Sequence, residues 1–275
     1  MMLRSYRSEL YKLRKRPATW VVFGVWLVLM LVFTYLFPYL SYRSGKSGAD
    51  AIKLPNLLPA ALPTQGLLGY AVWGGSLIVV LGALTLGSEY GWGTLKTMLS
   101  NGPGRLTVFC AQVAAMFTSL AGLVVVAFVC SALASVVIAA STGASIAGPA
   151  AFALALSMAV AWLILCMWCL FGVVLAIVIR GTALSVGLGL VWVLAVENIV
   201  RATASSVPVI AGIEKALPGV NAGSLVAALG TPAAGSGGDG VASVVGGGQA
   251  AIVVALYLLL FGAVGALLLR RRDVV

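Results

Sequence analysis

Six long apolar runs constrain the fold of this chain more than any other feature. A helix that crosses a membrane needs about 20 mostly apolar residues. Stretches of that kind extend from about Thr19 to Tyr39, Gly66 to Gly87, Leu106 to Ala140, Ala150 to Ile179, Thr182 to Val200 and Ala250 to Leu269. The runs are continuous rather than alternating, which favours helices over a transmembrane barrel. We therefore predict an all-α polytopic membrane protein with six transmembrane helices. The third run is too long for one upright span, so it either tilts strongly or projects beyond the bilayer.

The composition excludes a soluble protein. The chain is 61% hydrophobic and 9% charged, whereas soluble domains have roughly 45–50% apolar and about 25% charged residues. A formal charge of +10 would suggest nucleic-acid binding in a soluble protein. In a membrane protein the same cations anchor the ends of the spans, so we expect the lipid bilayer as a partner and no nucleic acid.

The distribution of positive charge predicts the orientation. If the N-terminus is cytoplasmic, 12 of the 17 Lys and Arg residues are inside and five are outside, as the positive-inside rule requires. The outside set is then Arg43, Lys46, Lys53, Arg201 and Lys215. We predict that both termini lie inside, with one transmembrane domain covering residues 1–275.

The N-terminal segment has the pattern of an amphipathic helix. Leu3, Tyr6, Leu10 and Leu13 recur at helical spacing, which is typical of a helix in the headgroup layer. Pro17 can then begin the first span. Residues 1–17 are predicted to form an in-plane elbow helix, and the alternative is a simple basic flank. Arg4, Arg7, Lys12 and Arg14 occupy its other faces. The candidate site residues of the elbow helix are Arg7, Glu9, Lys12 and Arg14.

Two segments are predicted on the outer side. Residues 41–65 contain three prolines and are expected to be irregular. Residues 201–249 separate the fifth and sixth spans and carry short helical patterns broken at Pro218, with Asn221 as a possible N-cap. The third span presents Ala114, Thr118 and Gly122 on one face, a small-residue stripe that lets helices approach closely within or between protomers.

The sequence provides no catalytic set and no metal-ligand pattern. It contains no His, and no Gly-x-x-x-x-Gly-Lys-Ser/Thr phosphate loop occurs. Cys166 and Cys169 fall in apolar sequence and are interpreted as packing residues. Glu197 is the one acid within a predicted span, with Arg201 at i+4. The two residues form either an ion pair that ends the helix or a polar element at the outer mouth of a transport path.

A polar interruption between the second and third spans is the best indication of function. Residues 88–105 lie on the predicted cytoplasmic side, and Trp92, Leu95, Met98 and Leu99 give one apolar face. Gly91 and Gly93 allow a bend, so we predict a short amphipathic helix at the membrane surface. The alternative is an ordinary cytoplasmic loop.

The pattern Glu89-Tyr90-x-x-Gly93-Thr94-Leu95-Lys96-x-x-Leu99, followed by Pro103-x-Arg105, resembles the cytoplasmic signature of ABC-2 type permeases. These are the membrane subunits of a class of ATP-binding cassette transporters. The basic N-terminal helix, the six spans, the outer segment and the terminal Arg270-Arg271-Arg272 agree with that layout.

The resemblance implies a partner and a site. Residues 88–105 would form a coupling helix that contacts a cytoplasmic ABC ATPase, with the elbow helix beside it. A second permease protomer, identical or different, would complete the transporter. No cofactor would bind this chain, because ATP and Mg would bind the ATPase. The implied coupling residues are Glu89, Tyr90, Gly93, Thr94, Lys96, Leu99 and Arg105.

We therefore predict a non-enzymatic permease subunit of a bacterial plasma-membrane exporter that works by alternating access. The alternative is a membrane scaffold or immunity-type protein that binds without transport. An ATPase gene beside this one would favour the first.

Overall fold

The computed structural model of the protein describes residues 2–45, 53–93, 104–231 and 240–271. All regular elements among these residues are helical. They are α1 (Met2–Lys15), α2 (Pro17–Arg43), α3 (Tyr70–Gly91), α4 (Arg105–Thr142), α5 (Ala151–Ile179), α6 (Thr182–Ala204), α7 (Pro208–Glu214), α8 (Pro218–Ala228) and α9 (Gly247–Arg271).

Six of these helices are long and apolar enough to cross a membrane, namely α2, α3, α4, α5, α6 and α9. The six predicted spans are thereby confirmed. The long third run forms one helix of 38 residues, α4, which at 1.5 Å per residue is about 57 Å long.

The predicted polar interruption begins within a span. Ser88, Glu89 and Tyr90 belong to the last turn of α3, which ends at Gly91. Gly93 follows in the left-handed conformation with φ 66°, the usual position of a glycine that terminates a helix. The predicted bend is therefore at Gly93. The rest of the predicted coupling helix, residues 94–103, is outside the described residues.

The segment before α3 is more regular than predicted. It contains two 3₁₀ turns, Leu54–Leu57 and Pro59–Ala61, and a one-turn helix, Leu62–Gln65. Each has a proline at its first or second position, where the missing N–H of proline costs no hydrogen bond. The prolines thus begin helical turns here instead of preventing them.

The outer segment after α6 contains α7 and α8, and Pro218 begins α8 as its first residue. The suggested N-cap was wrong, because Leu217 holds that position. Asn221 lies within the helix and is fully buried. Its Nδ2 donates to the carbonyl oxygens of Lys215 and Leu217, both at 2.8 Å.

The centre of the helix bundle is the contact between α3 and α5. A Cβ at Gly82 would overlap the carbonyl oxygen of Cys169, and a Cβ at Gly172 would overlap that of Val79. The two backbones therefore approach as closely as small residues permit. Cys166 and Cys169 are buried there, as expected of packing residues.

Three spans contain a π-helical turn. The turns are Val32–Leu36 in α2, Tyr70–Gly74 in α3 and Trp192–Val196 in α6. Such turns, with i→i+5 bonds, occur often at functional sites. The third one directly precedes Glu197.

Candidate functional site

The N-terminal helix is joined to the first span by a sharp corner. Arg16 is extended, with φ −76° and ψ 120°, and Pro17 opens α2, as predicted. The indole N–H of Trp20 donates to the carbonyl oxygen of Arg14 at 2.8 Å. The phenol of Tyr6 donates to Thr118 Oγ1 on α4 at 3.0 Å. One member of the small-residue stripe therefore contacts α1 of the same chain.

A partly buried cluster of charges connects α1 to the end of α3. Lys12 Nζ lies 2.9 Å from Glu89 Oε1 and 2.6 Å from Glu9 Oε1. Arg16 Nη2 lies 3.8 Å from Glu89 Oε1. The side chain of Glu89 is only 2% exposed. We call Glu9, Lys12, Arg16 and Glu89 the junction cluster.

Arg16 strengthens the same connection. Its guanidinium donates to the carbonyl oxygen of Thr85 at 3.0 Å and lies 5.8 Å from the ring centroid of Trp92. The corner between α1 and α2 is therefore attached to the last two turns of α3. Burial is the main reason that the pKa of Glu9 is raised above its ordinary value of 4.5, and the charge of Glu89 adds to the effect.

The predicted coupling residues that the structure describes make separate contacts. Glu89 faces α1, and Tyr90 packs partly buried against the core. Arg105 begins α4, where its Nη1 donates to the carbonyl oxygen of Arg270 at 3.5 Å. Thr94, Lys96 and Leu99 lie outside the described residues.

The remaining elbow residues, Arg7 and Arg14, are exposed on α1. Sequence reasoning missed Arg16 and Trp92 as site residues. The signal for Arg16 was its position between a basic helix and Pro17, at a corner that needs an interhelical contact.

A second buried charged group lies at the other end of the bundle. Glu197 is 2% exposed, and its Oε2 lies 3.7 Å from Arg201 Nη2, so the expected ion pair is present. Its Oε1 accepts a hydrogen bond from the backbone N–H of Gly219 at 3.1 Å. An acid is favourable there because the first N–H groups of a helix lack internal partners. Glu197 thus joins α6 to the start of α8.

The sequence model of the family described as ABC-2 family transporter protein matches residues 6–196 of the chain. The chain belongs to the ABC-2 transporter family. A comparison with curated proteins found no match.

As an ABC-2 family member, the protein is a multi-pass membrane permease subunit of an ABC transporter. Its family role is transport rather than catalysis, and membership implies association with an ABC ATPase. Within the described parts of this ABC-2 permease, no group of three or more His, Cys, Asp or Glu residues could hold a metal ion. The matched region includes the junction cluster and ends one residue before Glu197.

Proposed function

We propose that this permease is the membrane subunit of a bacterial plasma-membrane exporter. ATP, with Mg, is hydrolysed on a separate cytoplasmic ATPase and drives alternating access. Two permease protomers, identical or different, surround the transport path. Both chain termini lie in the cytoplasm, and α1 lies along the inner membrane surface as an elbow helix.

The observation that carries this proposal is the junction cluster. Glu89 is in the last turn of α3, directly before the segment predicted to contact the ATPase. Its carboxylate pairs with Lys12 and Arg16. A displacement of residues 94–103 by the ATPase would therefore move α1 and α3 together, as a rigid-body transition requires.

The packing of α3 gives that displacement a route into the membrane. Gly82 and Gly172 allow direct backbone contact between α3 and α5. A displacement of α3 is therefore passed to α5 directly and is not absorbed by flexible side chains. The moving unit is then the α3–α5 pair with α1 attached.

Within this mechanism Glu89 acts as a positioning residue. At 2% exposure its carboxylate offers little surface to a partner, and its contribution is to hold α1 against α3. Thr94, Lys96 and Leu99 are the proposed direct contacts. Arg105 fixes the start of α4 against the end of α9.

The Glu197 site connects a span to the outer part of the transporter. It ties α6 to α8, so a movement of α6 changes the position of the outer helix. We assign Glu197 and Arg201 to the outer mouth of the transport path.

The test is co-purification with the ATPase encoded beside this gene. The wild-type chain should retain the ATPase in detergent and change its hydrolysis rate in proteoliposomes. Lys96→Ala and Leu99→Asp should weaken retention. Arg43→Ala, a cation at the opposite end of α2, is the matched control and should retain the ATPase fully.

A wild-type chain that purifies alone and leaves ATP hydrolysis unchanged would support a scaffold or immunity-type protein instead. The direction of transport is tested by a separate measurement, the intracellular level of the cargo after the gene is deleted. That level should rise for an exporter, whereas a lowered level would indicate import.

A further inference from the structure

A groove of about 470 Å³ opens between the N-terminal corner and the third span. It has walls from α1, α2 and α4, and most lining side chains are apolar. Arg14 is the one charged residue among them. The lining includes Leu13, Arg14, Phe23, Leu27, Gly122 and Val126.

Two glycines keep the groove open. A Cβ added at Gly24 on α2 or at Gly122 on α4 would meet no atom within 4 Å. The part of α2 that lines the groove, Thr19 to Leu27, rises by about 12 Å. That length is most of one leaflet of a hydrocarbon core about 30 Å thick.

Arg14, the charge at the groove, differs from the two cations of the junction cluster. Lys12 and Arg16 are paired with carboxylates of the junction cluster. In the described part of the chain, Arg14 has no carboxylate within ion-pair distance. Its backbone is held in place because its carbonyl oxygen accepts the hydrogen bond from Trp20.

We propose that this groove binds one phospholipid with an anionic headgroup. An acyl chain lies between α2 and α4 against Gly24 and Gly122, and the phosphate pairs with the guanidinium of Arg14. The neighbouring cation Lys15 on α1 adds attraction for a headgroup with net negative charge. The occupant is a lipid because the apolar groove covers most of one leaflet and ends at Arg14, which has no ion-pair partner among the described residues.

The site is distinct from the proposed contact with the ATPase and does not depend on transport. A bound lipid would occupy the space between α1 and the spans α2 and α4. The helix α1 would then contact the lipid as well as α4. The lipid would thereby fix the position of the helix that carries the junction cluster.

Native mass spectrometry of the delipidated full-length protein tests the proposal. Phosphatidylglycerol and phosphatidylcholine with the same acyl chains are added separately. The wild type should bind one phosphatidylglycerol in preference to phosphatidylcholine. Arg14→Gln should reduce phosphatidylglycerol binding about fivefold, the effect of one cation near a membrane surface. Arg7→Gln, which removes an equal charge from the same helix outside the groove, should leave this first site nearly unchanged.

Filling the groove should abolish binding of both lipids at this site. Gly24→Leu and Gly122→Leu do this from opposite walls, so a folding defect in one leaves the other informative. Gly187→Leu on α6 is the matched control, since it also has open space at its Cβ, and it should bind normally.

Three results would overturn the proposal. They are equal binding of the two lipids by the wild type, unchanged binding in both groove-filling variants, and equal losses in Arg7→Gln and Arg14→Gln. A changed oligomeric state in the filled variants would assign the groove to a second copy instead.

Discussion

Glu197 and Gly219 are joined by a hydrogen bond of 3.1 Å between the Glu197 carboxylate and the Gly219 backbone N–H, across 22 residues of sequence. The bond connects a membrane span with the outer helix that follows it. A Cβ at residue 219 would overlap Glu197 Oε2, so any side chain there requires the carboxylate to move.

We expect Gly219→Ala to destabilise the protein by about 1–3 kcal/mol, the usual cost of overpacking a filled site. The added methyl group displaces the carboxylate and breaks its hydrogen bond. Thermal unfolding in detergent measures the effect. Gly212→Ala on α7 is the control, because its Cβ would meet nothing within 4 Å. Equal unfolding midpoints for Gly219→Ala and Gly212→Ala would contradict the contact between residue 219 and Glu197.

Glu197→Ala should cost about 3 kcal/mol, because it leaves a partly buried Arg201 and a buried backbone N–H without their partner. Glu197→Gln keeps an acceptor for Gly219 and should cost less. The comparison of the two midpoints separates the hydrogen bond from the ion pair. Equal losses for the two variants would show that the charge, and not the acceptor, holds α8.

Lys12→Gln should weaken the attachment of α1 to α3 by about 1 kcal/mol, since the Lys12 side chain is 30% exposed and its ion pair with Glu89 is partly solvated. Hydrogen exchange of residues 2–15 provides the measurement, with faster exchange expected in the variant. Arg7→Gln removes the same charge from an exposed position of α1 and should exchange like the wild type. If both variants exchange alike, the ion pairs to Glu89 do not hold the helix.

The raised pKa of Glu9 gives a pH dependence with a defined sign. Burial disfavours the charged form, so the folded protein holds the proton above the ordinary pKa of 4.5. The stabilising contribution is present below pH 4.5 and is lost as the pH rises through the higher folded pKa. Lys12 and Arg16 oppose the shift and Glu89 adds to it.

The unfolding midpoint of the wild type, relative to that of Glu9→Gln, should therefore fall as the pH rises above 4.5. The difference removes the titration of other acids common to both proteins. A difference that rises with pH would mean that the ion pair to Lys12 dominates over burial.

Gly82→Ala should be among the most damaging single changes in the core, at about 3 kcal/mol. The new methyl group meets the carbonyl oxygen of Cys169, and neither backbone can move without separating α3 from α5. Gly187→Ala, an exposed helical glycine with free space, is the reference. Comparable midpoints would show that the two spans are not in close contact.

The spans could be predicted from sequence because each helix forms for reasons contained in its own segment. A membrane-length apolar run determines its own secondary structure, since a backbone in lipid must satisfy its hydrogen bonds within the segment. The predicted fourth span, from Ala150 to Ile179, differs from α5 by one residue at its start. The pair Glu197 and Arg201 was predictable for the same reason, as both lie on one turn of one helix.

Contacts between distant segments were not predictable in this way. Nothing in the sequence near Glu89 indicates that its partner is Lys12, 77 residues away. Gly219 gives no sign of the carboxylate that restricts it. The role of Asn221 was misjudged because local preference favours Asn as an N-cap, whereas its actual partners are carbonyl oxygens within a buried turn.

The π-helical turn Trp192–Val196 gives the fifth span a point at which its length can change. A π turn holds one more residue than an α-helical turn but completes nearly the same rotation. Deleting one residue there would give a regular α-helix in which Glu197 still faces Gly219. Deleting one residue from a regular α-helical turn of the span would instead rotate every later side chain by about 100°. Glu197 would then keep its ion pair with Arg201, which rotates with it, but would lose its hydrogen bond from Gly219.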